Sequence, residues 1–479
     1  MTRVAASFRD PAGSCYLIDQ RILRVLAPQN AADCEAFLQT PSARRITASK
    51  KLVSTRRLEA SEVAALRESA FPFGAQGSDV ILEHERVPVP SYPYEWPPEM
   101  LWAAGCLTLE LAMASLADGY GLKDATPYNV LYRGSEPVFI DVPSFELRAP
   151  GDPVWLAYGQ FVRTFLLPLL ANRRWGLRLA DIFMTHRDGL EPEEVYRLCG
   201  PLQRLGPKIF SWVSMPTWLG GQARAQGPQL YHTRTLADPE KARFILDAQL
   251  NRCQRALDSL KPPARKDSAW SDYMASHSYN EPAFAAKEQF VQQALREFRP
   301  KWVLDAGANI GTFSILAAKA GAQVVAIDTD PACVGLLWAE AHAQKLNILP
   351  LVVDLSRPSP ALGWRNAECQ SFLDRATGTF DCVLMLALIH HLLVAERIPL
   401  EEILSLAAQL TTSLLIIEFV APEDEMFRQL TRGREHLHTS LNVTAFEAAS
   451  AKHFDIVNSL QLPGAQRRMY CLKLKGGTS

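Results

Sequence analysis

The sequence predicts an α/β protein in which a mostly parallel sheet, covered by helices on both faces, fills the carboxyl-terminal half and a separate α+β half precedes it. Three observations carry this expectation. After residue 300, short apolar runs alternate with helical patterns, the signature of βαβ units whose strands are buried on both sides. The first of those runs leads into a glycine-spaced turn and an apolar helix. The chain has 479 residues, about three times the usual domain size, and its rhythm changes across the polar, proline-bearing stretch Lys261 to Ser268. The expected domains are therefore residues 1–265 and 266–479.

Composition narrows the function classes. The chain is 48% apolar and 21% charged, enough to bury sizeable cores. Its 50 basic and 51 acidic residues nearly cancel, so the basic excess of sequence-independent nucleic-acid binding is missing and no nucleic-acid partner is expected. The start shows no apolar h-region behind basic residues, and no uncharged run of about 18 apolar residues occurs. Nine scattered cysteines contain no C-x-x-C pair, which points to reduced thiols, a cytoplasmic location and no metal site.

In the amino-terminal half, residues 99–118 read as an amphipathic helix and Asp79 to Val87 as a strand. Six cations between Arg44 and Arg57 form either an anion patch or, more simply, a solvated face. In the other half, Phe284 to Phe298 reads as a helix. Apolar runs begin at Trp302, Val324, Leu349, Cys382 and Leu414, a helix spans Leu400 to Leu410, and Met469 to Leu474 suits an edge hairpin.

The most informative segment runs from Trp302 to Thr312. Gly307 and Gly311 let backbone pass close to a ligand, and exposed amides there suit an adenosine-type molecule. The pattern is D-x-G-x-N-x-G, headed by Asp305, where a pyrophosphate site would want G-x-G-x-x-G. A carboxylate repels pyrophosphate and attracts an ammonium, so the ligand carries an amino group. The next strand ends in Asp328, where an acid accepts from ribose hydroxyls, and the third run is followed by Asp354, placed to accept from an adenine amino group.

These residues resemble the class I S-adenosylmethionine-dependent methyltransferases. Asp305, Ala306, Gly307, Asn309 and Gly311 fall on that family's first motif, Asp328 on its ribose acid and Asp354 with Leu355 on its adenine side. The resemblance implies a Rossmann-like seven-stranded sheet with a reversed last strand, S-adenosylmethionine as cofactor, and Trp270, Tyr273 and Tyr279 as an aromatic segment closing over it. The fourth run ends Leu386-Ala-Leu-Ile-His390-His391, where the transferred methyl should lie. One histidine is expected to remove or orient the acceptor's proton; the other reading is a structural histidine capping the next helix. The segments from Leu355 to Asn366, Leu386 to Leu392 and Ile417 to Asp424 resemble a narrower bacterial family, the NoeA-type nodulation methyltransferases, over both halves. That resemblance implies methyl transfer to an acceptor it does not specify; a small molecule is expected, the lack of a long apolar run argues against a membrane partner, and the oligomeric form stays open.

The amino-terminal half places Asp124 and Asn129 five apart, ahead of a strand, a turn and a second strand ending in Asp141. This resembles the aminoglycoside-phosphotransferase and protein-kinase-like fold, in which one Asp orients the acceptor hydroxyl while Asn and the later Asp hold magnesium. No histidine precedes Asp124, no glycine-rich phosphate loop lies in residues 1–80, and the 79–87 strand, the candidate bearer of the nucleotide lysine, has none. An active phosphotransferase, a degenerate kinase-like scaffold or acceptor-binding domain, and a chance resemblance all stay open at this point.

Overall fold

In the computed structural model, which describes residues 2–3, 7, 9–68, 80–219, 235–263 and 281–476, the chain divides into two compact units. The first comprises residues 1–132, 137–263 and 362–369; the second comprises residues 133–136, 264–361 and 370–479.

The first unit begins with an antiparallel sheet of β1 (Thr2–Arg3), β2 (Gly13–Ile18), β3 (Arg21–Leu26), β4 (Thr55–Arg57) and β5 (Ile81–His84), ordered β1-β2-β3-β5-β4. Asp19 and Gln20, both left-handed, make the two-residue β2–β3 turn. The helix Pro28–Leu38 starts on a proline, and Thr40 caps the following Pro41–Ala48 by accepting from the Ala43 amide at 3.2 Å. Two short hairpin-like pairs follow: β6 (Tyr120–Leu122) with β9 (Phe145–Leu147), and β7 (Val130–Arg133) with β8 (Glu136–Phe139). Phe37 stacks on Phe145 with ring centroids 4.1 Å apart, tying the first helix to β9.

The helix expected over 99–118 occupies Pro98–Ser115 with a 3₁₀ turn to Asp118, but it is not amphipathic. Leu101, Ala104, Gly105, Leu107, Leu109, Leu111 and Ala112 are buried, and the remaining face, Trp102, Ala103, Cys106, Met113 and Ala114 with exposed Glu110, is half-buried and itself mostly apolar. By length and composition it could cross a membrane, and most of it is buried within this unit.

The second unit is the α/β sheet expected from the sequence. Its strands are β10 (Trp302–Ala306), β11 (Gln323–Asp328), β12 (Ile348–Val352), β13 (Phe380–Met385), β14 (Thr411–Val420), β15 (Phe454–Gln461) and β16 (Arg467–Leu474). They lie in the order β12-β11-β10-β13-β14-β16-β15, with β10 to β14 parallel and β16 antiparallel to both its neighbours. Both alternations of the central strands are buried: Val303 and Leu304, Val324 and Val325, Leu384 and Val383. That burial explains why these strands read as unbroken apolar runs. The helix Glu281–Phe298 contributes Phe290, Val291 and Leu295 to one face, and Leu400–Leu410 buries Ile403, Leu404, Ala407 and Leu410.

Candidate functional site

The reversal between β10 and the helix Thr312–Lys319 is built by three left-handed residues, Gly307 (φ +76°), Asn309 (φ +51°) and Gly311 (φ +83°). A side chain at Gly311 would come within 2.1 Å of Leu337 Cδ1, so only glycine lets the two helices approach here. At Gly307 an added carbon would press on Leu388 at 3.2 Å, which places the turn after β13 directly over the glycine turn.

The turn's amides are not exposed to a ligand, contrary to the sequence expectation. Gly307 and Ala308 donate to the Ile327 carbonyl at 2.9 and 3.0 Å, Ile310 to Asn309 Oδ1 at 2.7 Å, and Gly311 to the Ala308 carbonyl at 2.8 Å. The Asn309 amide donates to Asp328 Oδ2 at 2.8 Å. With the five backbone amides of residues 307–311 committed internally, the turn has no main-chain donor to give a phosphate. What it leaves at the sheet edge are acceptors.

Those acceptors are the carboxylates. Asp305 is buried at 2% exposure, one residue before the end of β10, and Ser314 Oγ donates to its Oδ2 at 2.5 Å. Burial pushes its pKa up to about 6, against the opposing pull of the Ser314 hydroxyl and the Lys287 charge. Asp328, the last residue of β11, accepts one backbone N–H on each oxygen, from Asn309 and from Asp330 at 3.0 Å; burial raises its pKa. Each oxygen keeps a further lone pair. Asp354 lies two residues past β12, with Oδ1 accepting from the Ser356 amide at 2.8 Å and its hydroxyl at 2.6 Å. Ala306, Leu355 and Leu386 are buried apolar side chains on the same edge segments.

The two histidines are not strand residues. β13 stops at Met385 because Ala387 turns left-handed (φ +53°), and His390 and His391 then enter a helical turn that continues as a π-helix over His391–Ala395. Their rings lie 4.3 Å apart at 43°, on one side of a turn where strand alternation would have opposed them. His390 is 2% exposed and its Nδ1 is buried without a partner; burial lowers its pKa to about 3, so it is neutral at physiological pH. His391 is less buried, and its pKa is lowered by the same cause. A non-glycine residue at positive φ beside a π-turn is the kind of local strain that collects at functional sites.

A buried charge network escaped the sequence reading. Lys287 Nζ, on the inner face of the helix Glu281–Phe298, donates to Glu418 Oε2 at 2.6 Å on β14, and Arg467 at the start of β16 joins Glu418 to Asp424 with 2.7 and 3.0 Å bonds to the latter. Lys287 also lies 5.0 Å from the Phe313 ring and helps oppose the upward shift at Asp305. A lysine at helical period inside an apolar face was the available signal. Trp270, Tyr273 and Tyr279 lie outside the described residues.

In the first unit, the structure brings Asp124, Asn129 and Asp141 together. Asn129 Nδ2 donates to Ser144 Oγ at 3.4 Å, Ser144 donates in turn to Asp141 Oδ2, and the Lys123 amide bonds the Ser144 carbonyl at 2.9 Å. Burial and the neighbouring Asp141 raise the Asp124 pKa, and Asp124 with Lys123 lines a cavity of about 490 Å³. The strand at 81–84 is β5, next to the sheet edge; the third strand of this sheet in chain order is Arg21–Leu26, and its buried cation is Arg24. The expectation that 79–87 was the nucleotide-cation strand is thus corrected, because strand pairing order cannot be read from local pattern.

Comparison with known proteins decides the family. Nodulation protein NoeA of Rhizobium meliloti (strain 1021) is 32% identical over 475 residues, covering 98% of this chain and 95% of that protein. The chain belongs to the NoeA family. Residues 279–459 match the methyltransferase domain model, and this NoeA-family chain is a methyltransferase. Solved structures with similarity include the magnesium protoporphyrin IX methyltransferase ChlM of Synechocystis PCC 6803 with bound SAH, at 19% identity, covering 44% of this chain and 96% of that one, TM-score 0.31. The N-methyltransferase NodS of Bradyrhizobium japonicum WM9 shows 11% identity over 41% and 99% of the two chains, TM-score 0.30. The residues present fit S-adenosylmethionine in their chemistry: the carboxylates at the strand ends are acceptors suited to a molecule rich in amino and hydroxyl donors.

Proposed function

We propose that the second unit transfers a methyl group to a small-molecule acceptor, with Asp305 holding the amino-acid end of the cofactor, Asp328 its ribose and Asp354 its adenine amino group. Bound S-adenosylmethionine supplies an electrophilic methyl on a sulfonium. The chain's own part is alignment, which is worth up to roughly 7–11 kcal/mol when reacting groups are held in line. Ala306, Leu355 and Leu386 provide the apolar walls that keep water from the carboxylates. His390 is held neutral by burial, so its free Nδ1 accepts a hydrogen bond from the acceptor without presenting a repelling charge. His391, less buried, is the better proton acceptor of the two.

The observation that carries this reading is the commitment of every amide in the glycine turn while carboxylates lie at the ends of three adjacent parallel strands. Titration calorimetry with S-adenosylmethionine and S-adenosylhomocysteine tests it directly, followed by a labelled-methyl screen over small-molecule acceptors. Binding of neither molecule would end the proposal. His390→Ala and His391→Ala should each bind cofactor as wild type does; unchanged turnover in both would remove the histidines from the chemistry.

A further inference from the structure

The first unit has the parts of a phosphotransfer centre in the expected order, and one of its own side chains sits where the cations belong. In protein kinases the third strand supplies a lysine to the nucleotide phosphates, while the catalytic-loop Asn and a later Asp hold magnesium. Here β3 supplies Arg24, whose side chain is 9% exposed. Its Nη1 donates to Asp141 Oδ1 at 2.8 Å and to Asp10 Oδ2 at 2.9 Å. The second oxygen of Asp141 accepts from the Ser144 hydroxyl, which also receives the Asn129 amide.

The donor set does not fit magnesium. That ion needs near-octahedral oxygen ligands at about 2.0–2.1 Å, and here it would share the Asp141 carboxylate with a guanidinium that cannot lose its proton. Asn129 Nδ2 is turned to the same Ser144 hydroxyl that Asp141 takes up. The nucleotide side is filled in the same way. Asp10 belongs to the turn ahead of β2, the position from which a glycine-rich loop covers phosphates in kinases. It puts a carboxylate against the only buried cation that a phosphate would use among the described residues of this cluster.

We infer that Asp10, Arg24 and Asp141 form a permanent internal ion cluster that replaces both metal and nucleotide phosphate, leaving the first unit a kinase-like scaffold that binds no magnesium nucleotide. The alternative, in which Asp10 swings aside to admit a nucleotide, makes the opposite prediction and is an outcome of the test.

The full-length protein is titrated with Mn²⁺ and with Mn²⁺ plus ATP, following the melting temperature and the free-Mn²⁺ resonance signal. The wild type should show no shift and no loss of free Mn²⁺ beyond that due to ATP alone. Arg24→Gln leaves Asp10 and Asp141 without their compensating charge, and should gain a Mn²⁺-dependent rise of about 4 °C at saturating ion. Asp10→Asn keeps the Arg24–Asp141 pair and should stay silent. Nucleotide-dependent stabilisation of the wild type overturns the inference, as does a folded Arg24→Gln variant indifferent to Mn²⁺. Should that variant fail to fold, the wild-type titration still decides.

Discussion

The two units use the same residue type at the ends of strands to opposite ends. In the second unit, Asp305 and Asp328 are bonded by a hydroxyl and by backbone amides, neutral donors that leave negative charge for an outside partner. In the first, Asp141 is met by Arg24 on one oxygen and Ser144 on the other, and its charge is already cancelled. The contrast lies in the bonded partners: neutral donors leave a buried carboxylate's charge available, whereas a directly bonded arginine cancels it.

The sharpest way to break that comparison is to remove one carboxylate from each unit. Asp141→Ala should leave Arg24 paired with Asp10 alone and cost about 1.5–3 kcal/mol in denaturant unfolding, with the affinity for S-adenosylhomocysteine unchanged. Asp305→Asn should do the reverse: stability unchanged or raised, since a buried anion is removed, and affinity for the cofactor weakened by about 1.5–3 kcal/mol, some tenfold to a hundredfold by calorimetry. Equal effects of both variants on binding would erase the distinction between the units.

Acidity separates the two behaviours further. The Asp305 pKa, raised to about 6 in the folded chain, means that the folded state binds a proton more tightly than the unfolded chain. This group's contribution to stability therefore improves as pH falls from about 7 towards 4, while the ammonium end of the cofactor prefers the ionised form and loses affinity below about pH 6. Melting temperature with and without S-adenosylhomocysteine, measured across that range, should show the ligand-induced shift shrinking on acidification, and the trend should vanish in Asp305→Asn. The smallest expected effect is at Asp354→Ala. This residue's Oδ1 serves its own turn through Ser356, and loss of one adenine contact should weaken binding by about 1 kcal/mol, near fivefold.

The sequence made the second unit readable for physical reasons. Strands buried on both faces must be apolar throughout, a turn at positive φ demands Gly307 and Gly311, and the acids follow the strands in register. What was hidden depended on partners far along the chain. Lys287 meets Glu418 across 131 positions, and the pairing that makes β3 the neighbour of β5, and so Arg24 the buried cation, has no local signature. The histidines were found but misplaced, since the left-handed step at Ala387 that ends β13 is taken by a residue with no preference for it. The central helix Pro98–Ser115 misled in the other direction, because Glu99, Glu110 and Asp118 stand out on a half-buried face that is otherwise apolar.

Leu388 rests over Gly307, two residues before His390. Under the proposed function, a shift of the glycine turn on cofactor binding would press on Leu388 and so on the segment that carries both imidazoles. The empty and loaded enzymes should differ in the orientation of those rings, and the acceptor should find them correctly aimed only after the first substrate has arrived, which gives the reaction an ordered sequence of arrivals.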